Sequence, residues 1–324
     1  MERTGTRDIS KEALLARMDD AWASFSGPAL GLGARGLRER TPTGWTYAQM
    51  LAHVRAWHEL TAWRLRAFRE TGDVGLPGGD AARAIFTGLG LNTARSDELL
   101  REWDTDGFNA AVAEAAAAAS PHGLLPSLFA SYKKVRGDVV ELSDEQLAAH
   151  VSDGRSFVDA MLEGNTYGHY AEHQDELTSA LPETAQDLVA RVDADWTRVR
   201  DAVRRKGRSG IADPALDGWI YKDLLAHVIG WLHDVPRQLA AIRAGTDRPI
   251  AGAAEIDAYN ARSVSERRLV GPEAIVDELN TAFHLVREAL AGLSDEEVQD
   301  RRIRGLVATR TYLHWDEHEQ DLGL

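Results

Sequence analysis

From Ser10 onward, apolar residues recur at the interval of an α-helix instead of alternating. Over residues 10–24, Leu14, Leu15, Met18 and Trp22 share one face, and Ser10 stands where an N-cap belongs. A second helical pattern covers 46–70 and opens at Thr46; the Gly-rich run VGLPGGD follows it. Ser120-Pro121 has the form of an N-cap and first turn for a helix reaching Leu142, and SDEQ at 143–146 reads as a capping box. Helical periodicity returns over 157–179, and then over 187–206, 219–244, 271–291 and 306–322. Strand-like alternation is scarce. The expected fold is all-α, with four main helices in each half.

The patterns repeat. ARMDDAW at 16–22 returns as ARVDADW at 190–196, and GWTYAQMLAHVRAW at 44–57 as GWIYKDLLAHVIGW at 218–231, both at an offset of 174. LSDEQL at 142–147 returns as LSDEEV at 293–298, and TYGHYAEHQDEL at 166–177 as TYLHWDEHEQDL at 311–322. Order is kept while the offset shrinks to 151 and then 145, as expected of one unit used twice with shorter loops in the second copy. Pro182, in SALPETAQD at 179–187, marks the boundary, so we expect domains at 1–181 and 182–324.

Composition narrows the function. The 324 residues hold 51 acidic and 37 basic side chains, a formal net charge of −14. This opposes a nucleic-acid footprint or an anionic membrane surface. With no cysteine, disulfides, thiolate metal sites and a cysteine nucleophile are excluded. No leader-like apolar core opens the sequence and no run is long enough to span a bilayer, so a cytoplasmic location is expected. Oligomeric state is left open.

Chemistry concentrates on histidine. His169 and His173 are four apart, as are His314 and His318, so each pair faces one point on its helix. Two imidazoles rarely suffice for a metal. Both copies spell H-x-x-E-H, a zinc-peptidase pattern whose third ligand lies well downstream; in the sequence given, six residues follow His318, too few for one. The alternative lies upstream. His53 shares a face with Met50, Trp57 and Leu60, and His227 with Leu224 and Trp231. The expected ligand sets are His53, His169, His173 and His227, His314, His318. The remaining histidines, at 58, 122, 150, 233 and 284, have no matching counterparts. Pro236 is expected to kink the second copy's helix beyond His227.

These residues resemble the ClbS/DfsB family, within the DinB/YfiT-like superfamily of four-helix bundles. NTYGHYAEH and W-x-Y-x-x-x-L-A-H-V carry the resemblance, with LNTARS at 91–96 echoed by AYNARS at 258–263. The resemblance implies an up-down-down-up bundle in tandem, and a divalent ion, zinc or nickel, on the six histidines named above. It also implies activities ranging from mycothiol-dependent transfer or isomerisation to protection against DNA-damaging metabolites.

A divalent ion on three neutral ligands keeps an open position and its full charge, and so activates water or polarises a substrate oxygen. Glu172 and Glu317 are placed to shuttle its protons, with Tyr170 beside the first pair. Trp57, Trp231 and Trp315 are expected to line an apolar cavity, and Asn92 and Arg95, matched loosely by Asn260 and Arg262, to offer polar groups to a small-molecule substrate. Three readings follow: a metal-dependent hydrolase or transferase of small electrophilic metabolites, serving self-resistance; a mycothiol-dependent S-transferase or isomerase; and a protein that sequesters a toxic metabolite without turnover.

Overall fold

A computed structural model describes residues 10–324 apart from Val74, Ser120, His122, residues 150–155, Pro249 and Ala251. The proposed N-cap Ser120, with His122 and His150, therefore lies outside the described residues. By its contacts the chain divides into two compact units, one made of residues 10–32 and 36–180, the other of 33–35 and 181–324. Both are all-helical, and among the described residues there is no strand.

In the first unit, α1 (Lys11–Leu30) starts at Ser10, whose hydroxyl accepts from the Ala13 amide, and runs past the expected end because Phe25, Ser26 and Ala29 are buried. The helix α2 (Tyr47–Thr71) opens with a capping box made by Thr46 and Gln49 and closes on Gly72, whose φ of 74° suits glycine. The stretch after VGLPGGD is richer in helix than the periodicity indicates. Short helices cover Gly79–Gly88 and Thr93–Arg101, followed by α3 (Thr105–Ala118), which packs on α2. Next comes α4 (Leu124–Val140), entered through the left-handed Gly123 and packed along α2.

The expected single helix over 157–179 is two: α5 (Phe157–Asn165) and α6 (Tyr167–Ser179), broken at Thr166 with φ −133° and ψ −102°. The Thr166 hydroxyl donates to the Leu162 carbonyl at 2.6 Å, so this buried hydroxyl is itself paired at the break. Beyond the break, α6 packs against α1.

In the second unit, α7 (Ala185–Gly210) opens with a Thr184–Asp187 capping box and is interrupted at Gly207, whose φ of 64° and ψ of 177° are not helical, and α8 (Tyr221–Arg243) carries Pro236 inside it. The proline removes one N–H from the ladder without ending the helix. After α9 (Ala253–Glu266) and α10 (Pro272–Ala291), the helix expected over 306–322 is interrupted twice: α11 (Arg301–Arg310) and α12 (Tyr312–Glu317) are separated by Thr311 at φ −123° and ψ −107°, and His318, at φ −103° and ψ 19°, separates α12 from a last turn at Glu319–Leu322. Thr311 donates to the Val307 carbonyl at 2.6 Å, as Thr166 does to Leu162. The core of this unit gathers residues such as Leu188, Trp196, Leu225, Leu232, Phe283 and Trp315.

Candidate metal centres

Each histidine set converges. The ligand-capable atoms of His53, His169 and His173 lie within 4.8 Å of one another, as do those of His227, His314 and His318. Nε2 of His53 and Nε2 of His169 are 2.9 Å apart, and Nε2 of His227 and Nε2 of His318 3.2 Å. An ion at the usual Zn–N distance of roughly 2.0–2.1 Å in tetrahedral geometry would separate its ligand nitrogens by about 3.4 Å. The sets are therefore of the right size.

Local structure explains the convergence. His53 and His227 sit on α2 and α8 just after a tight turn closed by an isolated antiparallel bridge, Arg40–Thr46 in one unit and Pro214–Ile220 in the other. That turn brings Trp45 against His53, at 5.4 Å between ring centres, and Trp219 against His227, at 5.2 Å. The threonine breaks start a fresh helix three residues before His169 and His314, which carries each ring to its upstream partner.

Protonation suits metal binding, which needs neutral imidazole. Burial pushes His53 down to about 4, helped by neighbouring His173 and opposed by Asn109. Burial, then His53 and His173, push His169 down to about 2. His227 falls to about 2 through burial and then its two partners, opposed by Asn260, and His314 to about 3 through burial, His318 and Arg310. The half-buried His173 and His318 are also lowered by burial, while Glu176 and Glu172 counteract it at the first and Glu317 and Asp321 at the second. Ring nitrogens of His53, His169, His227 and His314 are buried without a hydrogen-bond partner. In His53, His169 and His227 that atom is Nδ1, while Nε2 is the nitrogen that meets the partner ring; in His314 it is Nε2.

Residues 212–322 match the family model of the mycothiol maleylpyruvate isomerase N-terminal domain, a DinB-like helical superfamily member. No curated protein and no solved structure matches the chain. The matched stretch contains the whole of the second histidine set.

Around the histidines, the proposed site residues divide. Trp231 and Asn260 line a cavity of about 600 Å³ together with Trp219, His227, Arg310, His314, Glu317 and His318. The Trp231 indole donates to Asn260 Oδ1 at 3.0 Å. Trp57 donates likewise to Asn109 Oδ1 at 3.1 Å. Asn109 is thus the true counterpart of Asn260, at the same offset of 151 as the LSDE blocks. Asn92 is instead the N-cap of helix Thr93–Arg101, accepting from the Arg95 amide, and Arg95 binds Glu98 and the Gly107 carbonyl. Both are structural, and the likeness of LNTARS to AYNARS is a local coincidence. Arg262 is exposed and lies over the Tyr259 ring.

Tyr170 and Trp315 are buried in the core, and neither lines the cavity at the second histidine set. Each follows a ligand histidine by one residue, about 100° round the helix, and so turns into the core. Tyr170, 1% exposed, stacks on Phe25 and its hydroxyl donates to His58 Nε2 at 2.6 Å. Trp315 packs against Trp196 and Phe283. Glu172 is exposed, whereas Glu176, one turn beyond His173, reaches to 4.0 Å of its Nδ1. Glu317 is also exposed but lies 3.8 Å from His314 Nδ1 and lines the cavity. Sequence reasoning missed Trp45, Trp219, Asn109 and Glu176. The repeated GW dipeptide and the i, i+3 spacing of His173 and Glu176 were the available signals.

No helix is long and apolar enough to cross a membrane among the described residues.

Proposed function

We propose that both histidine sets hold a divalent ion, zinc or nickel, and that the second centre catalyses thiol-dependent transfer to, or isomerisation of, a small electrophilic metabolite. One observation carries this reading: the convergent neutral triad opens on a cavity of about 600 Å³ inside the stretch that matches a mycothiol-dependent isomerase domain. A bound ion would supply a Lewis acid and a lowered thiol or water pKa. The chain's own residues do the rest. Trp219 and Trp231 wall the cavity with apolar surface that excludes water, Asn260 fixes the Trp231 ring, and Glu317 offers a carboxylate near His314 for taking up a proton.

For the first unit, the ClbS/DfsB-like block NTYGHYAEHQDEL supports the related reading of a metal-dependent hydrolase or transferase that disarms a reactive metabolite. The tandem origin of the two units is supported by the block matches. Paired threonine breaks, Trp–Asn bonds and isolated bridges support it further.

Cobalt(II)-loaded protein titrated with mycothiol tests the thiol reading. A thiolate-to-cobalt absorption band, lost in His314→Ala, is expected. Cobalt bound without any such band would overturn the thiol-dependent reaction and leave hydrolysis or sequestration.

A further inference from the structure

The second cavity carries a charged arrangement that a histidine triad does not need. Asp234, on α8, is fully buried and pairs with two arginines: Arg310 Nε at 3.1 Å, and Arg237. The Arg310 guanidinium also lies over the ring of Trp231, 4.1 Å from its centre, and lines the cavity one turn before His314. Trp231 is itself tied to Asn260. The guanidinium is therefore held from two sides, by a carboxylate at its edge and an aromatic ring against its face.

One buried carboxylate is shared by two guanidinium groups, of which Arg237 is 58% exposed and largely screened by solvent, so the positive charge that counts at the cavity is that of Arg310, partly offset by Asp234. The Arg310 side chain is only 16% exposed, so that charge is weakly screened towards the cavity. Two carboxylates share the lining, Asp257 and Glu317, but both are exposed and their charge is spent largely on solvent. A planar, always-charged fork fixed beside a candidate reaction centre suits a carboxylate, which it can engage through two hydrogen bonds. At the corresponding places the first unit has Leu60 and Asn165, which hold no charge.

We propose that Arg310 is a substrate-binding residue that selects a carboxylate-bearing substrate in the second cavity, with Asp234 as its positioning residue, and that the first unit lacks this selection. The proposal rests on the functional reading of that cavity given above. Its test uses zinc-treated full-length His169→Ala protein, in which the first triad is disabled, titrated calorimetrically with monocarboxylates from acetate to benzoate and with the matching neutral amides. The carboxylates should bind more tightly than their amides. Arg310→Gln should weaken the carboxylates by about 10- to 100-fold and leave the amides unchanged. Arg310→Lys, keeping charge without the fork, should fall between. Asp234→Asn should lower carboxylate affinity while amide affinity stays, as expected if it acts by holding Arg310. Carboxylates no tighter than amides, or an unchanged carboxylate affinity in Arg310→Gln, would overturn the proposal. Zinc content measured on the same samples separates the two ideas. Arg310-dependent carboxylate binding without zinc would remove the metal reading alone; zinc with Arg310-independent binding would remove only this one.

Discussion

The two units share their histidines and differ behind them. In the first, His58 lies between two hydroxyls: its Nδ1 is 2.8 Å from Ser131 and its Nε2 2.6 Å from Tyr170. Ser131 donates to the Leu128 carbonyl, so His58 Nδ1–H donates to Ser131 while Nε2 accepts from Tyr170. In the second unit, Leu232, Ala282 and Trp315 stand at these positions, all fully buried. A buried polar chain has been exchanged for Leu232, Ala282 and Trp315, whose one polar atom, the indole Nε1, is buried without a hydrogen-bond partner. The second unit instead sets the buried Asp234 behind Arg310 at the cavity, where the first has Leu60 and Asn165. The histidine geometry has been kept while the surroundings on both sides of it differ.

The largest way to break this comparison is to mix the two solutions. Leu232→His puts a lone imidazole beside Ala282 and Trp315 and should cost about 2–4 kcal/mol of stability by denaturant unfolding. Adding Ala282→Ser and Trp315→Tyr should return most of it. A triple variant no more stable than Leu232→His would show that the first unit's chain is not a self-sufficient network. In the reverse direction, Tyr170→Phe leaves His58 Nε2 without its donor and should cost about 1–3 kcal/mol while metal content stays unchanged, since Tyr170 does not face the triad. Loss of metal in Tyr170→Phe would place that residue at the site after all.

Acid should affect both units in the same sense. The buried histidines have folded pKa values below the ordinary 6.5, at about 4 for His53 and about 2 for His227. The unfolded chain therefore binds more protons between those values. Stability of metal-free protein is fully present above pH 6.5 and is lost progressively as pH falls towards 4, each such group contributing up to about 1.4 kcal/mol per pH unit. Thermal unfolding in metal-free buffer across pH 4–8 reads this directly; a flat profile below 6.5 would contradict the burial of the triads. The smallest effect should come from Asn109→Ala and Asn260→Ala. Each frees an indole N–H and should cost about 0.5–1.5 kcal/mol, in matching amounts for the two units.

The histidine sets were legible in the sequence because helix geometry converts a four-residue interval into one direction, and because the repeat isolated six of eleven histidines. The helical class was legible from periodicity for the same reason. The breaks at Thr166 and Thr311 were not: threonine continues a helical pattern, and only its bond to the carbonyl four residues back shows the turn being held open. Tyr170 and Trp315 looked like pocket residues because they adjoin ligands in the chain, but one residue of rotation sends them into the core. Asn92 resembles Asn260 in local wording, yet its side chain caps a helix, and Asn109 holds the tryptophan instead. Motif likeness reported composition there, while the constant offset from the LSDE block reported position.

Metal stoichiometry after removing one ligand from each unit tests the central claim most directly. Elemental analysis of protein expressed and purified without chelators should give two divalent ions per chain in the parent, one in His169→Ala, one in His314→Ala and none in the double variant, with helical content retained in all four. A parent holding no stoichiometric metal, or variants holding as much as the parent, would contradict the assignment of the two histidine triads as metal centres.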